Sequence, residues 1–199
     1  MPDGGEAAPL RLPDRLESDG LLLGRWQPSD AAAVRENLEH LRPWMPWIAL
    51  EPLSAADRLA LIEGWTTNWE GGGDVTLAIL RGAEVVGGTG LHRRRGPHGL
   101  EVGYWVDHRH LRQGIATTAA RLLTAAALER PGIEFVEIHH DEANTASAAV
   151  PRRLGFAFIG TTPDTPVAPG EVGIDWTCRM TGSRWREGGL PSLTVAAGQ

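Results

Sequence analysis

The sequence contains no lysine. All 19 of its basic residues are arginine, which rules out Schiff-base chemistry on a lysine amine and a phosphate loop built around a lysine. Cysteine occurs once, as Cys178, so neither an internal disulfide nor a cysteine metal cluster is available, and no metal is expected. No apolar run approaches the roughly 20 residues that a membrane-spanning helix needs. Met1 to Pro13 is acidic and proline-bearing where a secretion signal would be basic and then apolar. These absences lead us to expect a soluble, cytoplasmic protein with no membrane partner. Basic charge is short as well: 25 acidic residues outnumber the arginines and leave a net charge of −6, which weighs against nucleic acid as a partner. Arg93-Arg94-Arg95 is a local exception, read first as a solvated strand end and second as a phosphate contact.

What is present is a chain of 199 residues, long enough for one domain with a proper core. Residues 1–14 and 182–199 lack hydrophobic periodicity and are expected to be flexible, framing a single domain over residues 15–181. Leu21 to Trp26 reads as a strand, after which Ser29 or Asp30 caps a helix through about Leu41. Pro43 and Pro46 make Arg42 to Trp47 a rigid loop presenting Trp44 and Trp47, either to a substrate pocket or as plugs for the core beneath. Ser54 starts a helix to about Trp69, whose stripe of Leu59, Ile62, Trp65 and Trp69 reads as core. Val75 to Leu80 and Glu84 to Leu91 form a hairpin. Gly87-Gly88-Thr89-Gly90 lacks the spacing of a dinucleotide loop and no helix follows it, so its glycines mark a bulge or the close approach of another backbone.

The chain is organised around Leu100 to Phe156, which reads as strand, glycine turn, helix, strand, helix. Leu100 to Val106 is apolar enough for a strand, and Ile115 to Glu129 is alanine-rich and helix-forming. Gly114 stands between them. Without a Cβ it lets the backbone turn tightly and a ligand come close, and the unpaired N–H groups of the next helix's first turn make an anion site. Binding of a phosphorylated cofactor follows. Phe135 to His140 forms the next strand, and Asn144 caps a helix to Leu154. Pro151 lies inside that helix, so the carbonyl of Ser147 loses its usual N–H partner. Phe156 to Gly160 and Val172 to Met180 are the last strands.

This order of elements resembles the GNAT acetyltransferases. Leu41-Arg42-Pro43-Trp44-Met45-Pro46-Trp47, Glu101-Val102-Gly103-Tyr104-Trp105-Val106, and Asn144-Thr145-Ala146-Ser147 through Arg153-Leu154-Gly155-Phe156 are similar to the branch of ribosomal-protein N-terminal acetyltransferases, the RimJ/RimL type. The resemblance implies an α/β (α+β) architecture with a mixed, mostly antiparallel sheet of about seven strands flanked by about four helices. In that fold the strand at Glu101 splays from the strand at Phe135, and acetyl-CoA lies in the gap. Its pyrophosphate is expected on the backbone of Arg112, Gln113, Gly114, Ile115, Ala116 and Thr117. Leu111 stands where the family usually has Arg or Gln; Arg109 or Arg112 is placed to compensate. Asn144 and the backbone of Trp105 and Val106 are expected to meet the pantetheine arm and the acetyl carbonyl.

Acetyl transfer to an amine needs a base, because a free amine is largely protonated at neutral pH. Glu101 is the first candidate, with the alternative that it merely pairs with Arg93 or Arg95; His139 and His140 are the runners-up. Ser147 matches a serine of similar enzymes that acts near the CoA sulfur, where a hydroxyl stabilises a forming thiolate. Its alternative role is a helix-start serine bonded to the backbone near Asn144. Tyr104 alternates to the opposite strand face from Glu101 and reads as core. The expected reaction is direct transfer from acetyl-CoA to a primary amine, a protein or peptide N-terminus first and a small amine such as an antibiotic or polyamine second. Trp44 and Trp47 would meet the acceptor. A non-catalytic CoA-binding module is the competing reading, and a homodimer is suggested by analogy with the fold alone.

Overall fold

The structure, a computed structural model, describes residues 9–188. Residues 1–8 and 189–199, part of the expected flexible ends, lie outside the described residues. Inside them, ordered contacts extend beyond residues 15 and 181. Leu10 and Leu12 are buried in the main core, and the Leu10 N–H donates to the Gly72 carbonyl at 2.8 Å. At the other end a short helix, Gly182–Glu187, buries Trp185. Apolar side chains spaced too sparsely for a periodic signal still dock when the sheet offers them a surface.

One open sheet of eight strands spans the molecule. In chain order these are β1 (Leu16–Ser18), β2 (Leu21–Arg25), β3 (Val75–Arg81), β4 (Glu84–His92), β5 (Gly99–Val106), β6 (Phe135–Asp141), β7 (Ala157–Pro163) and β8 (Ile174–Thr181). They lie side by side as β1-β2-β3-β4-β5-β6-β8-β7, and only β5 with β6 is parallel. The extra strand relative to expectation is β1, three residues at the sheet edge. The helices are α1 (Ala31–Glu36), α2 (Leu38–Leu41), α3 (Ala55–Glu70), α4 (Ile115–Leu128), α5 (Thr145–Arg153) and α6, the Gly182–Glu187 helix. None of the described helices is long and apolar enough to cross a membrane.

Most elements follow from local rules. Ser54 Oγ accepts from the Asp57 N–H at 3.1 Å and starts α3, on which Ile62 and Trp69 are buried while Leu59 is exposed. Alanines let α4 lie flat on the sheet: Ala119, Ala120, Ala125, Ala126 and Ala127 are all buried there. The glycines of β4 serve close approach. A Cβ on Gly87 would stand 2.3 Å from the Trp105 carbonyl, and one on Gly90 would stand 2.7 Å from that of Val75. The bulge lies beside them on the same strand: Ile79 pairs with Gly87 and Leu80 with Val85, which leaves Val86 as the extra residue.

One expected helix is broken. Residues 30–41 split into α1 and α2 at Asn37, which is fully buried. Its side chain is drawn away from the helix: Nδ2 donates to the Ala33 carbonyl and to Asp107 Oδ2, both at 2.9 Å, and Oδ1 accepts from the His108 N–H at 2.9 Å. Asparagine competes with the helical backbone in this way.

The two faces of the sheet carry different layers. The α4–α5 face is built on Leu100, Val102, Val136 and Ile138, with Tyr104 and Val106 packed against it. The opposite face gathers Trp26, Val34 and Ile62, with Trp47, Trp65 and Trp105 beside them. Trp26 stacks on Trp105 at 6.2 Å and meets Trp65 at 5.8 Å.

Candidate active site

The parallel pairing of β5 with β6 covers only Gly99 with Phe135, Leu100 with Val136 and Glu101 with Glu137. Beyond Glu101 the strands part, β5 staying on β4 through Val106 and β6 on β8 through Asp141. The β6-facing edge of Val102 to Val106 is therefore left without a ladder partner. A cavity of about 540 Å³ passes through this fork. Trp44, Trp47, Trp65 and Trp105 line it on one layer, and Tyr104, Asn144 and Ser147 on the other. Trp47 lines the cavity and also packs on the second core cluster.

Next to the fork lies the glycine turn. Arg112 and Gly114 have positive φ of 59° and 79°, and the N-terminus of α4 has no side-chain cap. A Cβ on Gly114 would meet nothing within 4 Å, so the need for glycine there is conformational. Buried Ile115 anchors the helix start to the core, while Leu111 is 43 % exposed. Gln113 Oε1 accepts from Arg81 Nη1 at 2.7 Å. Arg109 is held by Asp107 Oδ2 at 2.7 Å and by Glu36 at 3.3 Å.

Asp107 fixes the approach to this turn. Fully buried, it accepts from the Arg109 N–H at 2.8 Å, the Arg109 guanidinium and Asn37 Nδ2. Burial opposes its charge, but the Arg109 and Asn37 bonds outweigh it and hold the carboxyl well below its ordinary value. A depressed carboxylate stabilises the fold above its unfolded value of about 3.9, and the contribution is lost as pH falls through the folded value. Asp107→Asn is accordingly expected to cost about 3 kcal/mol at pH 7, and the gap to wild type is expected to narrow in denaturation curves recorded near pH 3.

Charged groups gather on the tryptophan side of the fork. Glu101, its side chain 13 % exposed, is ion-paired to Arg95 and lies 3.4 Å from Arg94, so the pairing foreseen as an alternative is present. Arg93 is not its partner; the Arg93 N–H donates to Asp74 at 2.8 Å. Glu137 accepts from Arg179 Nε at 2.7 Å and from His139 Nε2 at 2.9 Å, and His139 Nδ1 stands 2.6 Å from Asp175. A carboxylate thus faces each ring nitrogen of His139. Burial lowers its basicity, but the Asp175 and Glu137 bonds prevail and raise it above the ordinary value. Both ring nitrogens of His139 are thus engaged by carboxylates. His140 is buried on the other face, its Nδ1 3.0 Å from the Asp141 carbonyl and its ring stacked on Trp176 at 6.0 Å.

On the α5 side, Asn144 Oδ1 accepts from the Ser147 N–H at 3.0 Å, which is the helix cap expected of it. The Ser147 hydroxyl bonds elsewhere, 3.1 Å from the Tyr104 hydroxyl. Tyr104 packs against the main core as expected and is also among the residues that line the cavity. Asp141 escaped sequence reasoning altogether. It accepts from the N–H groups of Ala143 at 2.8 Å, Val172 at 3.0 Å and Gly173 at 2.9 Å, tying the approach to α5 to the β7–β8 loop. That loop in turn donates from Gly170 to the Pro43 carbonyl at 2.8 Å, next to Trp44. Only an aspartate followed by a short polar turn hinted at this in the sequence. Among the described residues no group of three or more His, Cys, Asp or Glu is arranged to hold a metal ion.

A cleft that runs through a sheet, with a different layer at each end, suits a transferase, because donor and acceptor can enter from opposite faces and meet at the fork. The comparisons agree. A family model described as an acetyltransferase (GNAT) domain matches residues 20–157. YdaF of Bacillus subtilis (strain 168), named as a candidate ribosomal N-acetyltransferase, is 29 % identical over 144 residues, 69 % of this chain and 78 % of YdaF. Among solved structures, RimL, a ribosomal L7/L12 alpha-N-protein acetyltransferase in complex with coenzyme A, superposes with a TM-score of 0.76 at 20 % identity over 84 % of this chain and 97 % of that one. RimJ of Mycobacterium smegmatis, in complex with a CoA disulfide, gives 0.71 at 20 % identity over 94 % and 95 %. The chain belongs to the GNAT acetyltransferase family and is an N-acetyltransferase of that family.

Proposed function

We propose that the chain transfers acetyl from acetyl-CoA directly to a primary amine, and that this amine is the N-terminus of a protein or peptide. The observation that carries the proposal is the fork: an unpaired β5 edge stands across one cavity from Asn144 and Ser147. Three features fit acetyl-CoA. The uncapped N-terminus of α4 at Gly114 presents N–H groups to an anion, space is open where a Cβ would stand, and the β5 edge offers backbone groups to an amide-bearing arm. Arg112, Gln113, Gly114, Ile115, Ala116 and Thr117 would hold the pyrophosphate by their backbone, and Trp105, Val106 and Asn144 the pantetheine. When bound, acetyl-CoA supplies the acetyl group as an activated thioester.

The residues of the chain divide the remaining tasks. Glu101, at the last paired position of the fork, is the carboxylate best placed to take a proton from the entering amine, directly or through water. Ser147 holds a hydroxyl proton for the leaving sulfur. Trp44 and Trp47 wall the acceptor end and exclude water from it. A protein N-terminus is favoured because YdaF is named for ribosomal acetylation and RimL for alpha-N-protein acetylation.

The test is release of free CoA thiol from acetyl-CoA across a panel of peptides and small amines, beside CoA binding by calorimetry. Release that depends on a peptide amine is the expected result. Release with small amines alone would overturn the acceptor, and tight CoA binding with no turnover would move the chain to the CoA-binding modules.

A further inference from the structure

His92 ends β4 and pairs across the ladder with Glu101 of β5, so the two side chains share the tryptophan face. Its Nδ1–H donates to Asp74 Oδ2 at 3.0 Å, while Asp74 Oδ1 accepts from the Arg93 N–H at 2.8 Å. Burial opposes the Asp74 charge, but the bonds from Arg93 and His92 outweigh it and hold the carboxyl below its ordinary value. An ionised carboxylate only accepts, so the proton of the neutral ring stays on Nδ1 and the lone pair on Nε2. No hydrogen bond occupies Nε2 among the described residues. Glycines give it room. Gly90 and Gly103 are the next pair along the same face, and a Cβ on Gly90 would stand 3.0 Å from Nε2, one on Gly103 3.7 Å. The ring thus reaches over the strand of the fork, just past its last paired residue, and His92, Glu101, Gly90 and Gly103 all line the cavity.

We propose that His92 is a further catalytic residue: its Nε2 accepts a hydrogen bond from the entering amine and holds the nitrogen over Gly103 while Glu101 takes a proton from it. This rests on the proposed transfer to a primary amine. A primary ammonium brings three N–H groups: one proton goes to Glu101, a second N–H serves Nε2, and His92 gains no proton in the step. Asp74 is the positioning residue, since it fixes which ring nitrogen keeps the lone pair. His139 has both nitrogens engaged and His140 lies on the other face, so neither takes this place. The charged groups set about the ring are Asp74, Glu101 and Arg94; Arg58 and Glu51, which line the same cavity from α3 and the segment before it, are paired with each other. Once Nε2 is protonated the ring donates instead of accepting and repels an ammonium, so the contact is lost on acidification.

The test follows kcat/KM against pH for the best amine of the thiol-release panel, with CoA affinity and melting temperature beside it. His92→Asn sets an amide N–H2 group where Nδ1–H stood, which keeps the bond to Asp74 and removes Nε2. It is expected to lose about thirtyfold in kcat/KM at pH 7.5, mostly through KM, as the loss of one hydrogen bond to a charged group gives, and to keep its CoA affinity. The gap to wild type is expected to close as pH falls and the wild-type ring gains its second proton. Asp74→Asn tests the lone pair without touching the ring. The Arg93 N–H holds the amide oxygen, so the amide N–H2 faces Nδ1, which must then accept, and the ring proton moves to Nε2. The same rise in KM is expected from Asp74→Asn, and none beyond it from the double variant. A gap that stays constant with pH would show a merely structural histidine and overturn the proposal, and so would a wild-type KM in Asp74→Asn. A wild type that turns over no amine would instead remove the transferase reading on which the proposal stands.

Discussion

Gly114→Glu is expected to abolish CoA binding, calorimetry showing an affinity at least about a hundredfold below wild type while the fold persists. Two effects combine. The N-terminus of α4 carries partial positive charge on N–H groups that have no side-chain cap, and a carboxylate at 114 would occupy that site in place of the pyrophosphate. The φ of 79° adds strain for any residue with a Cβ, roughly 1 kcal/mol. Strain and charge separate in Gly114→Ala, because the space around a Cβ is open and the alanine carries no anion. That variant is expected to lose melting temperature like the glutamate but to keep most of its affinity. Normal CoA affinity in Gly114→Glu would move the phosphate site elsewhere.

The features legible in the sequence were those set by neighbours along the chain. Alternation gave the faces of β5, the alanine run gave α4, and Asn144 gave the start of α5. The fork itself came through resemblance, since nothing within β5 or β6 announces that their pairing stops at Glu101 and Glu137. What stayed hidden was set by partners far apart in sequence. Asn37 breaks a helix because Asp107, seventy residues on, takes its amide. Pro151 was legible as a missing donor, but that Tyr104 fills the gap depends on how α5 lies over β5, which only the packed structure defines. The acid–base ranking had the same limit in part: Arg95 and Glu137 are near in sequence to Glu101 and His139, but Asp175, thirty-six residues on, reaches His139 only through the β6–β8 ladder.

Those partners frame the second expectation, that Glu101→Gln lowers turnover at neutral pH by about a hundredfold and spares CoA affinity. An acceptor α-amine titrates near 8 and reaches the site mostly as an ammonium, so attack on the thioester waits for a proton to leave. His139 has both nitrogens engaged, by Asp175 and Glu137, and His140 lies on the α4–α5 face with one nitrogen on a backbone carbonyl. Glu137 is spent on Arg179 and His139. Glu101 remains, on the tryptophan face where the acceptor would enter and at the point where the strands separate. The amide introduced by Glu101→Gln would keep the size and lose the charge, but it would also turn an N–H2 group toward Arg95, so a loss of turnover alone could come from disturbed arginines. Glu137→Gln supplies the contrast. It disturbs Arg95 and Arg179 while the Glu101 carboxylate stays in place. If Glu101 is the base, its variant loses turnover at pH 7 and recovers part of it as pH rises and the amine deprotonates unaided, whereas Glu137→Gln lowers the melting temperature and leaves the shape of the pH profile alone. Equal turnover in wild type and Glu101→Gln would leave the carboxylate as an anchor for Arg94 and Arg95, and would pass the proton to water in the cavity.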